Sequence, residues 1–169
     1  MLPRMSSCEA NLPIDGARSA LARVHKDEEL VSILRARGWE STEGVEPETF
    51  EMEPDSPGMR YTMEFLVGRV RKYLGKSFGL STFYYAALLI LRANIKMTST
   101  NERLVMMIAL RLASKAVEDR QVDIEFFSKV SGISQERLVE LELSFLDLLD
   151  WNIHVPLEVF ESFVEWWAL

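Results

Sequence analysis

Residues 104–119 read LVMMIALRLASKAVED, and this stretch decides the fold class of the chain. Ten of its first thirteen residues are apolar, and they occupy every face of a helix instead of a single stripe. A helix that is apolar on all sides has to be enclosed by other helices. Lys115, Glu118 and Asp119 follow the apolar part, so the last turn should reach solvent or a partner. The stretch therefore predicts a buried central helix with a charged end, inside a helical domain.

Further helical segments flank the central one. Each is expected to begin at a residue type that caps or starts helices. The predicted starts are Ser56 with Pro57, Ser81, Ser99 with Glu102 as a capping box, Asp123, Ser134 and Pro156. The first helix should run through Tyr73 to a stop at Gly75, and the fourth should stop at Gly132. No alternating β pattern of useful length occurs, so the sequence predicts an all-α protein.

The chain is predicted to have three parts. Residues 1–57 hold an amphipathic helix over 17–37 and then an acidic linker or extended strap over 40–57, which contains seven carboxylates, three prolines and no basic residue. Residues 58–153 form a compact domain of five helices joined by short connections. Residues 154–169 form a short C-terminal helix.

Composition and cysteine content limit the location of the protein. Cys8 is the only cysteine, so an intrachain disulfide and a cysteine metal cluster are both excluded, which fits a reducing compartment. The longest apolar run, 83–91, is far shorter than the roughly 20 residues that span a bilayer. We expect an intracellular protein of the cytoplasm or nucleus, with no membrane contact.

Charge is unevenly distributed along the chain. The net charge is −7, yet residues 58–103 carry eight Lys or Arg against two acidic residues. Clustered basic residues can bind nucleic acid. A solvated helix face that balances an acidic neighbour explains the same pattern, and no nucleic-acid motif accompanies it. We therefore expect no nucleic-acid partner.

Nothing in the sequence predicts catalysis. His25 and His154 are far apart and lack metal-ligand spacing, and no phosphate-binding glycine loop or nucleophile motif occurs. Acidic pairs such as Glu140/Glu142 and Asp147/Asp150 are more typical of a solvated helix rim than of an acid–base pair. The prediction is a non-enzyme with no metal, no cofactor and no small-molecule substrate.

The charged end of the central helix and the fifth helix together predict a docking site. Residues spaced three and four apart share a helix face. If the two helices pack together, a lysine and a glutamate flank a small apolar hollow, which suits a partner helix. The residues concerned are Leu112, Lys115 and Ala116 in the central helix, Glu142 and Leu146 in the fifth, and Ile153 just after it.

Three stretches resemble a cyclin box: LASKAVED at 112–119, FFSKVSGIS at 126–134 and LVELELSFLDLLDWNI at 138–153. The middle one is most similar to the single-box group typified by yeast phosphate-pathway cyclins and plant P/U-type cyclins. The resemblance covers about residues 58–153. It implies the fold of a single five-helix cyclin box, here with an extra N-terminal helix and a short C-terminal helix.

The resemblance also implies a function. In cyclins the lysine and glutamate bind backbone near the regulatory helix of a cyclin-dependent kinase, and the hollow receives an aliphatic side chain from that helix. By position, Lys115 and Glu142 would be the charged pair, both solvated in the free protein. The expected role is a regulatory subunit that binds and allosterically activates such a kinase as a heterodimer. The alternative is a cyclin-fold scaffold of the transcription-factor type that activates no kinase.

Overall fold

Six helices make up the part of the chain that the computed structural model describes, namely Phe50, residues 62–74 and residues 79–168. They are α1 (Met63–Leu74), α2 (Leu80–Ala93), α3 (Glu102–Val117), α4 (Ile124–Ser131), α5 (Gln135–Leu148) and α6 (Leu157–Ala168). No β-strand occurs within those ranges, and the all-α prediction is confirmed. The helix predicted over 17–37 lies outside the described residues, and the three-part division stays a prediction.

The central helix α3 is enclosed as its sequence predicts. It contacts α1, α2, α4 and α5. Every residue from Leu104 to Ser114 is buried. Burying apolar surface contributes a folding free energy of about 25 cal/mol per Å². The burial of α3 on all sides therefore places this helix at the centre of the hydrophobic core. The first exposed residue of the run is Lys115, where the charged end begins.

Local capping sets the ends of α4 and α5. The Asp123 carboxylate accepts a hydrogen bond from the Glu125 N–H, and the Ser134 hydroxyl accepts one from the Arg137 N–H. Gly132 ends α4 with φ 74°, in the left-handed region that glycine adopts without steric cost. Both predicted starts and the predicted stop are confirmed. Pro156, the predicted start of the last helix, immediately precedes α6.

Two predicted helix starts are wrong, and a third, at Ser56 and Pro57, lies outside the described residues. Helix α1 as described begins at Met63, where the Thr62 hydroxyl accepts the Phe65 N–H at 3.2 Å. Ser81 lies inside α2, which begins after Gly79. The capping box is also absent. It needs its acidic residue at the third helical position, but Glu102 is the first residue of α3.

A buried asparagine organises the turn before α3. Asn101 is 4% exposed. Its side-chain oxygen accepts the Thr98 N–H at 2.8 Å, and its amide nitrogen donates to the Lys96 carbonyl at 2.9 Å. These bonds give two backbone groups of the part-buried loop their hydrogen-bond partners.

Phe50 joins the acidic segment to the core. Its side chain is 1% exposed, and its ring meets Phe145 of α5 edge to face, with 6.0 Å between centroids and 82° between planes. This geometry is a favourable arrangement for two aromatic rings. At Phe50, the segment predicted as a linker or strap is therefore packed into the helical domain.

Candidate functional site

A buried carboxylate connects the charged end of α3 to α5. Glu142 is 7% exposed, and each of its oxygens accepts a hydrogen bond from a cation of α3. The Lys115 ammonium binds Oε1, and the Arg111 Nε binds Oε2 at 2.8 Å. The Lys115 side chain keeps 35% of its surface exposed, compared with 9% for Glu142. The two predicted charged residues therefore lie side by side, at the surface end of a buried cluster.

The expectation that both charges are solvated in the free protein is wrong for Glu142. A carboxylate removed from water needs charged or hydrogen-bonding partners, and Arg111 and Lys115 supply them. Glu142 is thus a structural group as well as a candidate binding group. It also does not belong to a solvated rim, whereas Glu140 in the same predicted pair is exposed and binds Arg137 at 3.1 Å.

Arg111 is the residue that the sequence reasoning missed. It is 8% exposed, and its guanidinium carbon lies 5.9 Å from the centre of the Phe127 ring of α4, within cation–π range. Arg111 therefore contacts α4 and α5 from α3. The available signal was its spacing, because an arginine four residues before Lys115 shares its helix face inside an otherwise apolar run.

The apolar residues of the predicted hollow differ in exposure. Leu112 is 2% exposed, so it can form only the floor of such a hollow. Leu146 and Ile153 are half-buried against the core, and Ala116 is exposed. Their assignment as a partner-binding set stays a prediction.

The turn after α5 exposes a tryptophan. Asp150 and Trp151 have φ angles of 51° and 59°, which non-glycine residues rarely adopt. The turn is closed by a hydrogen bond from the Trp151 N–H to the Leu146 carbonyl at 2.9 Å. The Trp151 indole, 61% exposed, donates to the Asp147 carboxylate at 2.8 Å. A large aromatic side chain, five residues after Leu146, is therefore held in a defined orientation.

Two side chains of α2 hold the segment that contains Ile153. Arg92 donates to the carbonyls of Asn152 and His154, both at 3.0 Å. The Tyr85 hydroxyl donates to the Ile153 carbonyl at 2.7 Å and accepts the Val155 N–H at 3.2 Å. Burial raises the pKa of Tyr85 above its ordinary value of 10.0, although the Val155 hydrogen bond and the Arg92 charge partly oppose it. Three consecutive carbonyls are therefore fixed by one helix.

Glu118, predicted to face solvent or a partner, instead binds the start of α2. Its Oε1 accepts the Gly79 N–H at 3.1 Å and the hydroxyl of Thr82, a fully buried residue. A carboxylate is favoured there because helix N-termini carry unpaired N–H groups and a positive dipole end. This interaction also explains why α2 needs no local capping side chain.

The described residues contain neither a candidate metal site nor a helix that could span a membrane. Within them no group of three or more His, Cys, Asp or Glu side chains is placed to hold a metal ion. No helix of the described ranges has the length and apolarity that crossing a bilayer requires.

Comparison with known proteins identifies the class. The sequence model of the Cyclin family matches residues 67–153, just over half of the chain. The matched range contains Arg111, Lys115, Glu142 and the turn after α5. The chain belongs to the cyclin family.

Plant cyclins of the P and U types are its relatives. Cyclin-U2-2 of Arabidopsis thaliana is 34% identical over 104 residues, covering 56% of this chain and 45% of the relative. Cyclin-P2-1 of Oryza sativa subsp. japonica is 35% identical over 69 residues, covering 41% and 32%. The chain thus spans less than half the length of these curated relatives. Both the cyclin-box prediction and its place near the P/U types are confirmed.

Proposed function

We propose that this chain is the regulatory subunit of a cyclin-dependent protein kinase, binding it as a heterodimer and activating it allosterically. Cyclins are regulatory proteins, so the proposal adds the partner and the surface that binds it. The observation that carries it is the Lys115–Glu142 pair, which joins α3 to α5 beside Leu146. The surface consists of Leu112, Lys115, Ala116, Glu142, Leu146 and Ile153, with Trp151 added from the turn after α5.

The charged pair can set the register of a docked helix. An ammonium group has three donors, and Glu142 uses one donor of Lys115. The exposed side of Lys115 can therefore donate to a partner carbonyl. Each Glu142 oxygen has a second lone pair, which can accept a partner N–H. Leu146, Ile153 and Trp151 supply apolar surface beside these polar contacts.

The mechanism is a population shift. Kinase activity requires an ion pair between the kinase lysine and the glutamate of its regulatory helix. A subunit that binds the helix-in state better than the helix-out state raises the active population. Reversing a 1:99 ratio takes about 5.5 kcal/mol of differential binding. Truncating one partner of a buried charged contact weakens binding by about 2–5 kcal/mol. Contacts of this kind are therefore large enough to supply the differential binding that the shift requires. The cyclin contributes no catalytic group.

The test combines binding and activation. The 169-residue chain is titrated into a panel of purified recombinant cyclin-dependent kinases, and both the Kd and the rate of peptide phosphorylation are measured. A binding kinase should gain activity. Lys115→Ala should weaken binding by about 2–5 kcal/mol. Ala116→Trp should block docking, and the fold should survive because Ala116 is exposed.

Lys129→Ala is the matched control. Lys129 is also a lysine paired with a glutamate, Glu125 at 2.7 Å, but it is 72% exposed and lies outside the proposed set. Its loss should leave kinase affinity unchanged. Wild-type affinity in Lys115→Ala and Ala116→Trp would remove the surface from the proposal. Tight retention on DNA with no kinase binding would favour the scaffold alternative.

A further inference from the structure

The cluster around Glu142 holds one carboxylate and two cations, and the cations differ in exposure. The Arg111 side chain is 10% exposed and the Lys115 side chain 35%. Removing the only counter-ion of a buried charge is strongly destabilising, whereas losing an exposed partner costs little. Because Arg111 remains beside Glu142, the carboxylate keeps a buried counter-ion when Lys115 turns away.

Arg111 is also the less movable of the two cations. Its Nε is bound to Glu142 at 2.8 Å, and its guanidinium lies over the Phe127 ring of α4, which is fully buried. Planar guanidinium groups suit such combined hydrogen-bonded and stacked positions. Lys115 has a flexible stem and no second partner within the described part of the chain.

We infer that Arg111 is a positioning residue for partner docking: as the fixed counter-ion of Glu142, it leaves Lys115 available to an acceptor on the partner. This inference rests on the proposed function for the identity of the partner. Without Arg111, Glu142 would depend on Lys115 alone, and that pair would restrict how Lys115 could turn toward an acceptor on the partner. The structure thus assigns different roles to two cations that bind the same carboxylate.

The first experiment uses the free chain and needs no kinase. The Nε–H resonance of Arg111 is followed by NMR in the wild type and in Lys115→Met. We expect slow solvent exchange in both, with the signal retained when Lys115 is gone. Lys115→Met should change the unfolding equilibrium constant by less than about fivefold, as for an exposed pair. Fast exchange at Arg111 in this variant, or unfolding, would overturn the assignment of Arg111 as the fixed counter-ion.

The second experiment is a double-mutant cycle on the Kd for the recombinant kinase. Lys115→Met should raise the Kd by about thirtyfold or more, and Arg111→Met by roughly five- to tenfold. If Arg111 acts through Lys115, the double variant should bind no worse than Lys115→Met alone. Effects that multiply would show that Arg111 only supports the fold and would overturn the positioning role.

One further variant keeps the test decisive. Arg111→Lys retains a cation and should restore part of the affinity lost in Arg111→Met. If Arg111→Met fails to fold, the exchange measurement in Lys115→Met still decides the counter-ion role, and Arg111→Lys replaces it in the cycle. If no kinase binds the wild type, the docking role falls with the proposed function, while the NMR result on the free chain stands separately.

Discussion

The hydroxyl of Tyr85 donates a 2.7 Å hydrogen bond to the carbonyl of Ile153, a residue 68 positions further along the chain. Arg92 holds the carbonyls on either side of it. One helix thereby fixes the segment that follows the left-handed turn at Asp150 and Trp151. In the proposed complex, this segment supplies Ile153 to the docking surface.

Tyr85→Phe should lower the free energy of unfolding by about 1–3 kcal/mol, because it leaves the Ile153 carbonyl and the Val155 N–H without their shared partner. Urea denaturation measures the change. The indole N–H resonance of Trp151 reports whether the turn moves. A variant as stable as the wild type, with an unshifted Trp151 signal, would show that the segment is held without Tyr85.

Stability should also depend on Tyr85 at alkaline pH. The pKa of Tyr85 is raised above 10.0 by burial, so the folded chain holds the phenol proton more tightly than the unfolded chain. This contribution is fully present below pH 10.0 and is lost as the pH rises through the folded-state pKa. The wild type should therefore lose more stability than Tyr85→Phe between pH 9 and pH 11, in matched unfolding curves. Parallel losses in the two proteins would contradict the prediction.

Glu118→Ala should destabilise the chain by about 1.5–3 kcal/mol, since it removes a charged acceptor from the Gly79 N–H and strands the buried Thr82 hydroxyl. Asp119→Ala is the matched control, because the neighbouring carboxylate is exposed and should change stability by less than about 0.5 kcal/mol. Thermal unfolding of both variants gives the comparison. Equal effects would mean that general charge, not the contact with α2, matters at this end of α3.

Glu142→Ala and Lys115→Ala should have unequal effects on folding. Loss of Glu142 leaves Arg111 buried without its counter-ion, which costs about 3–5 kcal/mol. Loss of Lys115 leaves the Arg111–Glu142 pair intact and should cost no more than about 1 kcal/mol. Denaturant midpoints of the free chains measure both. A larger cost for Lys115→Ala would reverse the assignment of the fixed partner.

Phe50→Ala should destabilise the helical domain by about 3–5 kcal/mol, because it empties a fully buried site against Phe145. Phe65→Ala is a useful comparison, since Phe65 is 48% exposed and its loss should cost less than about 1 kcal/mol. Calorimetry of the two variants distinguishes a core residue from a surface one. An unchanged melting temperature for Phe50→Ala would show that Phe50 adds nothing to the stability of the core.

The sequence by itself determined the all-α class, the buried central helix and the local caps at Asp123, Ser134 and Gly132. Those features follow from the pattern of apolar residues and from side chains that bind the backbone a few residues away. Their causes therefore lie in residues that are close together in the sequence. It also predicted Lys115 and Glu142 as a charged pair, through their helix faces and the likeness to cyclins, and the two side chains do form an ion pair.

Only the tertiary structure decided the features that depend on groups far apart in the chain. Glu118 caps the start of α2 although Gly79 is 39 residues away in sequence. Arg111 forms an ion pair with Glu142, which is 31 residues away. Helix α2 therefore begins without a local signal, and Glu142 is buried although its neighbours in sequence suggest a solvated face. A buried charge or an unpaired N–H is stabilised by whichever partner the packing of the helices brings next to it. That partner depends on the tertiary structure and not on the neighbouring residues in the sequence.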